Sequence, residues 1–147
     1  MEVNKLDEKI LNVLIKTSRL SYRQIAQLLK VSVATVMHHV KKLEEEKVIK
    51  QYTAVLDYEK LGYDVAVLIE IKISKGKLFE VEKKVAHHPS VVAVYDHTGA
   101  FDTLIIAKFK TRLLMDKFLK QLQAYDFVER TETMLILNTL KEAPMQL

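Results

Sequence analysis

Seven cations, Lys9, Lys16, Arg19, Arg23, Lys30, Lys41 and Lys42, follow one another between positions 9 and 43 with no Asp or Glu among them. Acid flanks the stretch on both sides, at Glu2, Asp7 and Glu8 before it and at Glu44-Glu45-Glu46 after it. Within it lie small polar and imidazole side chains that can touch base edges: Ser32, Thr35, His38 and His39 as hydrogen-bonding groups, and Val33 or Ala34 as apolar partners for a thymine methyl. Arg23, Lys41, Lys42 and Lys50 suit phosphates, and Ser21 joins them as a candidate DNA contact. Taken as a charge pattern alone, the same lysines describe a solvated helical face, so the surrounding elements must decide.

Other chemistries find little support. The chain has no cysteine, so disulfides, Cys-ligated zinc and thiol catalysis drop out together. The hydroxyls have no His/Asp partners at triad-like spacing, and no Gly-rich phosphate loop occurs, so no enzyme is expected. His87-His88, beside Pro89, and the single His97 read as loop residues rather than a metal site. Apolar residues make up 49% of the 147 and charged ones 29%, with 3 Gly and 2 Pro, a composition that folds. The opening is charged and no apolar run approaches the ~20 residues of a membrane span, so a cytoplasmic protein without a membrane partner is expected. Net charge is +4, of which residues 1–60 supply +3 (11 basic, 8 acidic) and residues 61–147 supply +1 (12 and 11).

The positioning elements follow from periodicity. Leu6, Ile10, Leu11 and Leu14 recur at helical spacing up to about Lys16. Ser21-Tyr22-Arg23-Gln24 is a capping box that starts a second helix, carrying Ile25, Ala26, Leu28 and Leu29. Ser32 caps a third, expected from Val33 to about Lys47 with Val36, Val40 and Leu43 inward. Two short helices joined by a tight turn make a helix-turn-helix, whose second helix enters the major groove. Residues 48–56 read as a strand or extended linker. Beyond it, strand-like Val65–Ile73, helical Leu78–Ala86, strand Val91–Asp96, a turn at 97–101, strand Asp102–Phe109, helical Arg112–Ala124 and strand Val128–Leu137 give the order βαββαβ, a ferredoxin-like unit. The expected class is therefore α+β: a (winged) helix-turn-helix domain over 1–47, a linker over 48–62 and a ferredoxin-like domain over 63–147. On the first strand Ala66, Leu68, Glu70 and Lys72 form a partly apolar second face, which implies a second subunit.

Leu6-Asp7, Arg19-Leu20-Ser21, Ile25-Ala26, Val31-Ser32, Val40-Lys41-Lys42-Leu43-Glu44, Val48-Ile49 and Thr98-Gly99-Ala100-Phe101-Asp102, in that order and spacing, resemble the Lrp/AsnC (feast/famine) transcription regulators, archaeal members in particular. The resemblance spans nearly the whole chain. It implies double-stranded DNA as a partner, dimers formed through the sheets, octamers as tetramers of dimers, and a free amino acid bound between dimers near the G-x-x-D turn, with no other cofactor. Lys30 and Lys47 stand where glycines are usual, and His38-His39 where one or two arginines are common. The turn has its own chemical logic: backbone amides near Thr98, Gly99, Ala100 and Phe101 can cradle a carboxylate and Asp102 can receive an ammonium, with Thr131 and Thr133 adding hydroxyls. Read without the resemblance, the same residues make a plain hairpin turn in which Asp102 is a cap. The alternative function is an amino-acid-binding module that docks on a protein partner without touching DNA. The acid-free stretch separates the two, because protein docking gains nothing from excluding every carboxylate.

Overall fold

The computed structural model describes residues 2–147, and the chain forms two compact units, one up to Val55 together with Lys141–Leu147, the other Leu56–Leu140. The division at 47/48 and 62/63 expected from composition assigned the last seven residues to the sheet domain. They pack instead with the helices, where Asn12 holds Leu147 by a bond from Nδ2 to the carbonyl (2.7 Å) and one accepted from the backbone N–H (2.9 Å).

The helical unit contains α1 (Lys5–Lys16), α2 (Tyr22–Leu29) and α3 (Val33–Glu45). Each starts at a side-chain cap. Asn4 accepts from the Leu6 and Asp7 amides while Asp7 reaches back to the Asn4 N–H, Ser21 and Gln24 form the predicted reciprocal box, and Ser32 accepts from Thr35. Ile10 from α1, Ile25 and Ala26 from α2, and Val36 and Val40 from α3 make the core, so each helix contributes through its apolar stripe. Leu43 is buried as expected, one turn further along α3. α3 stops at Glu45 rather than near Lys47, because Lys47 lies in the left-handed region (φ 58°) and the Ile49 N–H turns back to the Leu43 carbonyl (3.0 Å). Residues 48–56 form no strand in this chain.

The second unit is a four-stranded antiparallel sheet of β1 (Val65–Ile73), β2 (Val91–Asp96), β3 (Thr103–Phe109) and β4 (Val128–Leu135), in the order β2-β3-β1-β4, with α4 (Leu78–Lys84) and α5 (Arg112–Gln123). Val67, Ile69 and Ile71 of β1 and Ile105, Ala107 and Phe109 of β3 alternate onto the face covered by Val81 of α4, by Val85 just after it, and by Met115, Phe118 and Leu122 of α5. This is the βαββαβ arrangement read from the sequence. Asp102 proves to belong to the turn before β3, and the final strand ends two residues before Leu137. On the opposite face Leu68 pairs with Ile106 and with Met134, which leaves the partly apolar surface anticipated for β1.

Candidate nucleic-acid interface and the glycine turn

In the helical unit the turn between α2 and α3 is made by Lys30 in a left-handed conformation (φ 55°, ψ 44°), its N–H returning to the Ala26 and Gln27 carbonyls. A glycine would take this geometry without the steric cost that a Cβ carries there. The turn therefore forms with lysine in place. It sets Ser32 at the start of α3, where the hydroxyl accepts from the Thr35 N–H (3.0 Å) and shares a hydrogen bond with the Thr35 hydroxyl (2.8 Å). Both hydroxyls are thus tied to each other at the helix start.

Successive residues of a helix stand 100° apart, so burial of Val36, Val40 and Leu43 turns Ala34, Met37, His38, Lys41 and Lys42 outward. All five are exposed, as are Val33, Ser32, Ser21 and Arg23, while Thr35 is half-buried. Ser21 is occupied in the cap of α2, accepting from the Gln24 N–H. Two findings go beyond the sequence reading, which leaves His38 and His39 undistinguished. His39 does not face outward: its ring reaches α1, where Nδ1 lies 2.6 Å from Asp7 Oδ1, and its side chain is only 18% exposed. The reason is angular, since His39 adjoins the buried Val36 and Leu43, three residues before it and four after it on the helix surface. Met37, not singled out from the sequence, lies on the outward face at 52% exposure. Its spacing of four from Val33 was the available signal.

Asp7 itself has no exposed surface. Burial pushes its carboxyl up, but the His39 ring, the Asn4 N–H (2.9 Å) and the charges of His39 and Lys42 outweigh that and hold it below the usual carboxylate value. The capping signal Asn4-x-x-Asp7 was legible in the sequence, whereas the partner 32 positions away was not.

In the sheet unit, residues 97–102 connect β2 to β3, and the Asp102 N–H donates to the Ile71 carbonyl (3.0 Å), which fixes the turn at the end of β1. Gly99 has φ 134°, and a Cβ there would meet nothing within 4 Å, so backbone conformation rather than close approach requires glycine. Thr98, Gly99 and Ala100 are exposed. Phe101 is buried, with the Arg130 guanidinium 5.0 Å from its ring centre. The Asp102 carboxylate, the expected receiver of an ammonium, already has donors of its own: the Ile73 N–H donates to one oxygen (2.8 Å) and the Lys72 ammonium to the other (3.0 Å). These donors, the backbone one foremost, hold Asp102 below its ordinary value. Asp102 and Asp96 line a cavity of about 200 Å³ together with Ile73, Ser74, Lys75, Gly76 and Leu78. Thr131 and Thr133 lie across β1 from the turn, opposite Ile71 and Ile69, on the face that the helices cover. The Thr131 hydroxyl accepts from Gln123 Nε2 (3.0 Å). The Thr103 hydroxyl, fully buried beside the turn, has no hydrogen-bond partner among the described residues.

Two families match the chain: residues 3–50 match the winged helix-turn-helix DNA-binding family, and residues 66–146 the Lrp/AsnC ligand binding domain. Among curated proteins it is similar to an uncharacterised HTH-type transcriptional regulator of Pyrococcus furiosus, 46% identical over 97% of this chain and 96% of the other. It is also similar to regulatory protein AsnC of Haemophilus influenzae, 33% identical over 90% of each chain. Among solved structures, a transcriptional regulator of Neisseria meningitidis in complex with L-Met has a TM-score of 0.91 at 25% identity, covering 99% of this chain and 96% of the other.

Proposed function

The chain belongs to the Lrp/AsnC family of transcription regulators, and on that premise we propose that it binds duplex DNA through α3 and responds to a free amino acid through the sheet unit. The observation that carries this reading is the outward face of α3, where Ala34, Met37, His38, Lys41 and Lys42 are exposed within a stretch free of carboxylates. Groove-facing side chains and flanking cations on one helix are what a major-groove reader needs. No helix among the described residues is long and apolar enough to cross a membrane.

For the effector, the support is the match to a ligand-binding domain and the L-Met bound by the Neisseria relative. Because the Asp102 oxygens already hold Lys72 and Ile73, its role is to shape the turn, leaving the exposed amides of residues 98–100 and the Asp96 carboxylate to meet a zwitterion. Copies of the chain pair through the outer sheet face, where Leu68, Leu104, Ile106 and Met134 cluster, and dimers assemble further into octamers. The test of DNA binding is a fluorescence-anisotropy titration of labelled duplex at several salt concentrations. Affinity falling linearly on a log–log plot supports it, and no binding at low salt refutes it. Calorimetric titration with the twenty amino acids tests the effector, and light scattering at micromolar concentration tests assembly.

A further inference from the structure

We infer that the recognition helix reads its operator chiefly through thymine methyl groups, with Met37 the specificity-determining side chain and Val33 its companion one turn earlier. The inference rests on the DNA-binding reading above and deepens it. Of the groups able to hydrogen-bond a base edge, Ser32 and Thr35 are tied to each other and His39 is held by Asp7. Besides Lys41 and Lys42, the outward face retains His38 as its imidazole and otherwise offers apolar carbon: Val33 at 45% exposure, Met37 at 52%, and Ala34. Val33, Met37 and Lys41 follow at four-residue intervals, as do Ala34, His38 and Lys42, so a hydrocarbon row and a mixed row both run into lysines.

An exposed methionine beside two lysines gains nothing from water, and Met37 takes no part in the core cluster of the helical unit. In the major groove one base alone presents an apolar group, the C5-methyl of thymine. The lysines supply the complementary charge for the phosphates on either side. Methionine suits this contact, since its unbranched, polarisable chain adjusts to a methyl whose position varies with local DNA geometry. Val33 and Met37 are separated along the helix by about 6 Å, roughly two base steps, so the thymines they touch fall in one short block of each half-site.

The test uses the full chain and a duplex enriched by it from a random-sequence library at fixed salt. Each thymine is replaced singly by deoxyuridine, which removes the methyl and nothing else. Affinity should fall about fourfold at each contacted position, the worth of one buried carbon. In Met37→Ala the penalty at one position should vanish, and in Val33→Ala that at its neighbour, while Lys41→Ala weakens every duplex and keeps both penalties. Met37→Leu, which keeps the hydrocarbon, should retain the penalty, and the size-matched Met37→Gln should lose it, so the outcome does not hang on the alanine variant folding. Indifference of an enriched duplex to every deoxyuridine overturns methyl reading but leaves DNA binding intact. Binding without enrichment of any sequence overturns it as well, and failure to bind any duplex removes the DNA-binding reading itself.

Discussion

In the helical unit Val33, Met37, His38, Lys41 and Lys42 share a surface because they share one helix, whereas in the sheet unit Asp102 finds Lys72 and Ile73 across 30 and 29 positions of chain. The helical surface is a consequence of period: Val33, Ala34, Met37, His38, Lys41 and Lys42 all fall between about 60° and 240° from the buried Val36. The turn depends on register: it is the pairing of β1 with β3 that brings the end of one strand against the start of the other. The sheet unit therefore decides by long-range contact what its carboxylate does. His39 and Asp7 show that the helical unit contains one such long-range decision too, and its consequence is to withdraw a histidine from the DNA-facing surface.

That pair is where the two units should differ most. Asp7→Ala removes a carboxylate that is fully buried and engaged by both His39 and Asn4, and should destabilise the helical unit by about 3 kcal/mol. Asp102→Ala, at a partly exposed ion pair, should cost the sheet unit clearly less. Urea unfolding followed by circular dichroism measures both, and equal losses would erase the distinction between the two sites.

A pH series sharpens it. Asp7 ionises more readily in the folded chain than its ordinary value of 3.8, so its contribution is fully present above that value and disappears as pH falls through the lower, folded one. Thermal scans from pH 6 to pH 2 should show the helical unit losing stability below about pH 4, and Asp7→Asn should flatten that acid limb. Asp102 is shifted in the same direction, so Asp102→Asn should act on the sheet unit with the same sign.

Function separates the units further. Lys41→Ala and Lys42→Ala should each weaken binding to every duplex and reduce the salt slope by about one for each phosphate left without its cation. His39→Gln should leave the preference for operator over random DNA nearly unchanged, because the ring faces Asp7, whereas His38→Gln should narrow it. Competition binding at fixed salt reads all four, and a loss of selectivity in His39→Gln matching that of His38→Gln would mean that the helix is turned differently in the complex. The smallest effect belongs to Lys30→Gly. Relief of the left-handed lysine, less the extra freedom glycine brings to the unfolded chain, should stabilise the helical unit by about 0.5 kcal/mol, visible as a small rise in Tm.

Much of this architecture was legible in the order of residues. Ser21-x-x-Gln24 and Ser32 announce their helices, Val36, Val40 and Leu43 declare the inward stripe, and Val65–Ile73 alternates cleanly enough to place a strand at its observed bounds. The ends were less legible where a side chain had to take a costly conformation: Lys47 ends α3 although a lysine there looks like continued helix. At the candidate sites the residue types were readable but their partners were not. His38 and His39 are indistinguishable as neighbours in sequence, and Asp102 looks equally like a ligand or a cap.

The sequence by itself determined what depends on near neighbours along the chain: the caps, the helical and strand periods, the βαββαβ order and the carboxylate-free stretch around α3, because each of these acts over a few residues. Only the tertiary structure decided which polar groups remain unspent. Packing α1 against α3 brings Asp7 to His39, and pairing β1 with β3 brings Ile73 and Lys72 to Asp102. A carboxylate taken out of water, as Asp7 is, needs partners beyond its own helix cap, and the one that the fold supplies, His39, lies 32 positions away.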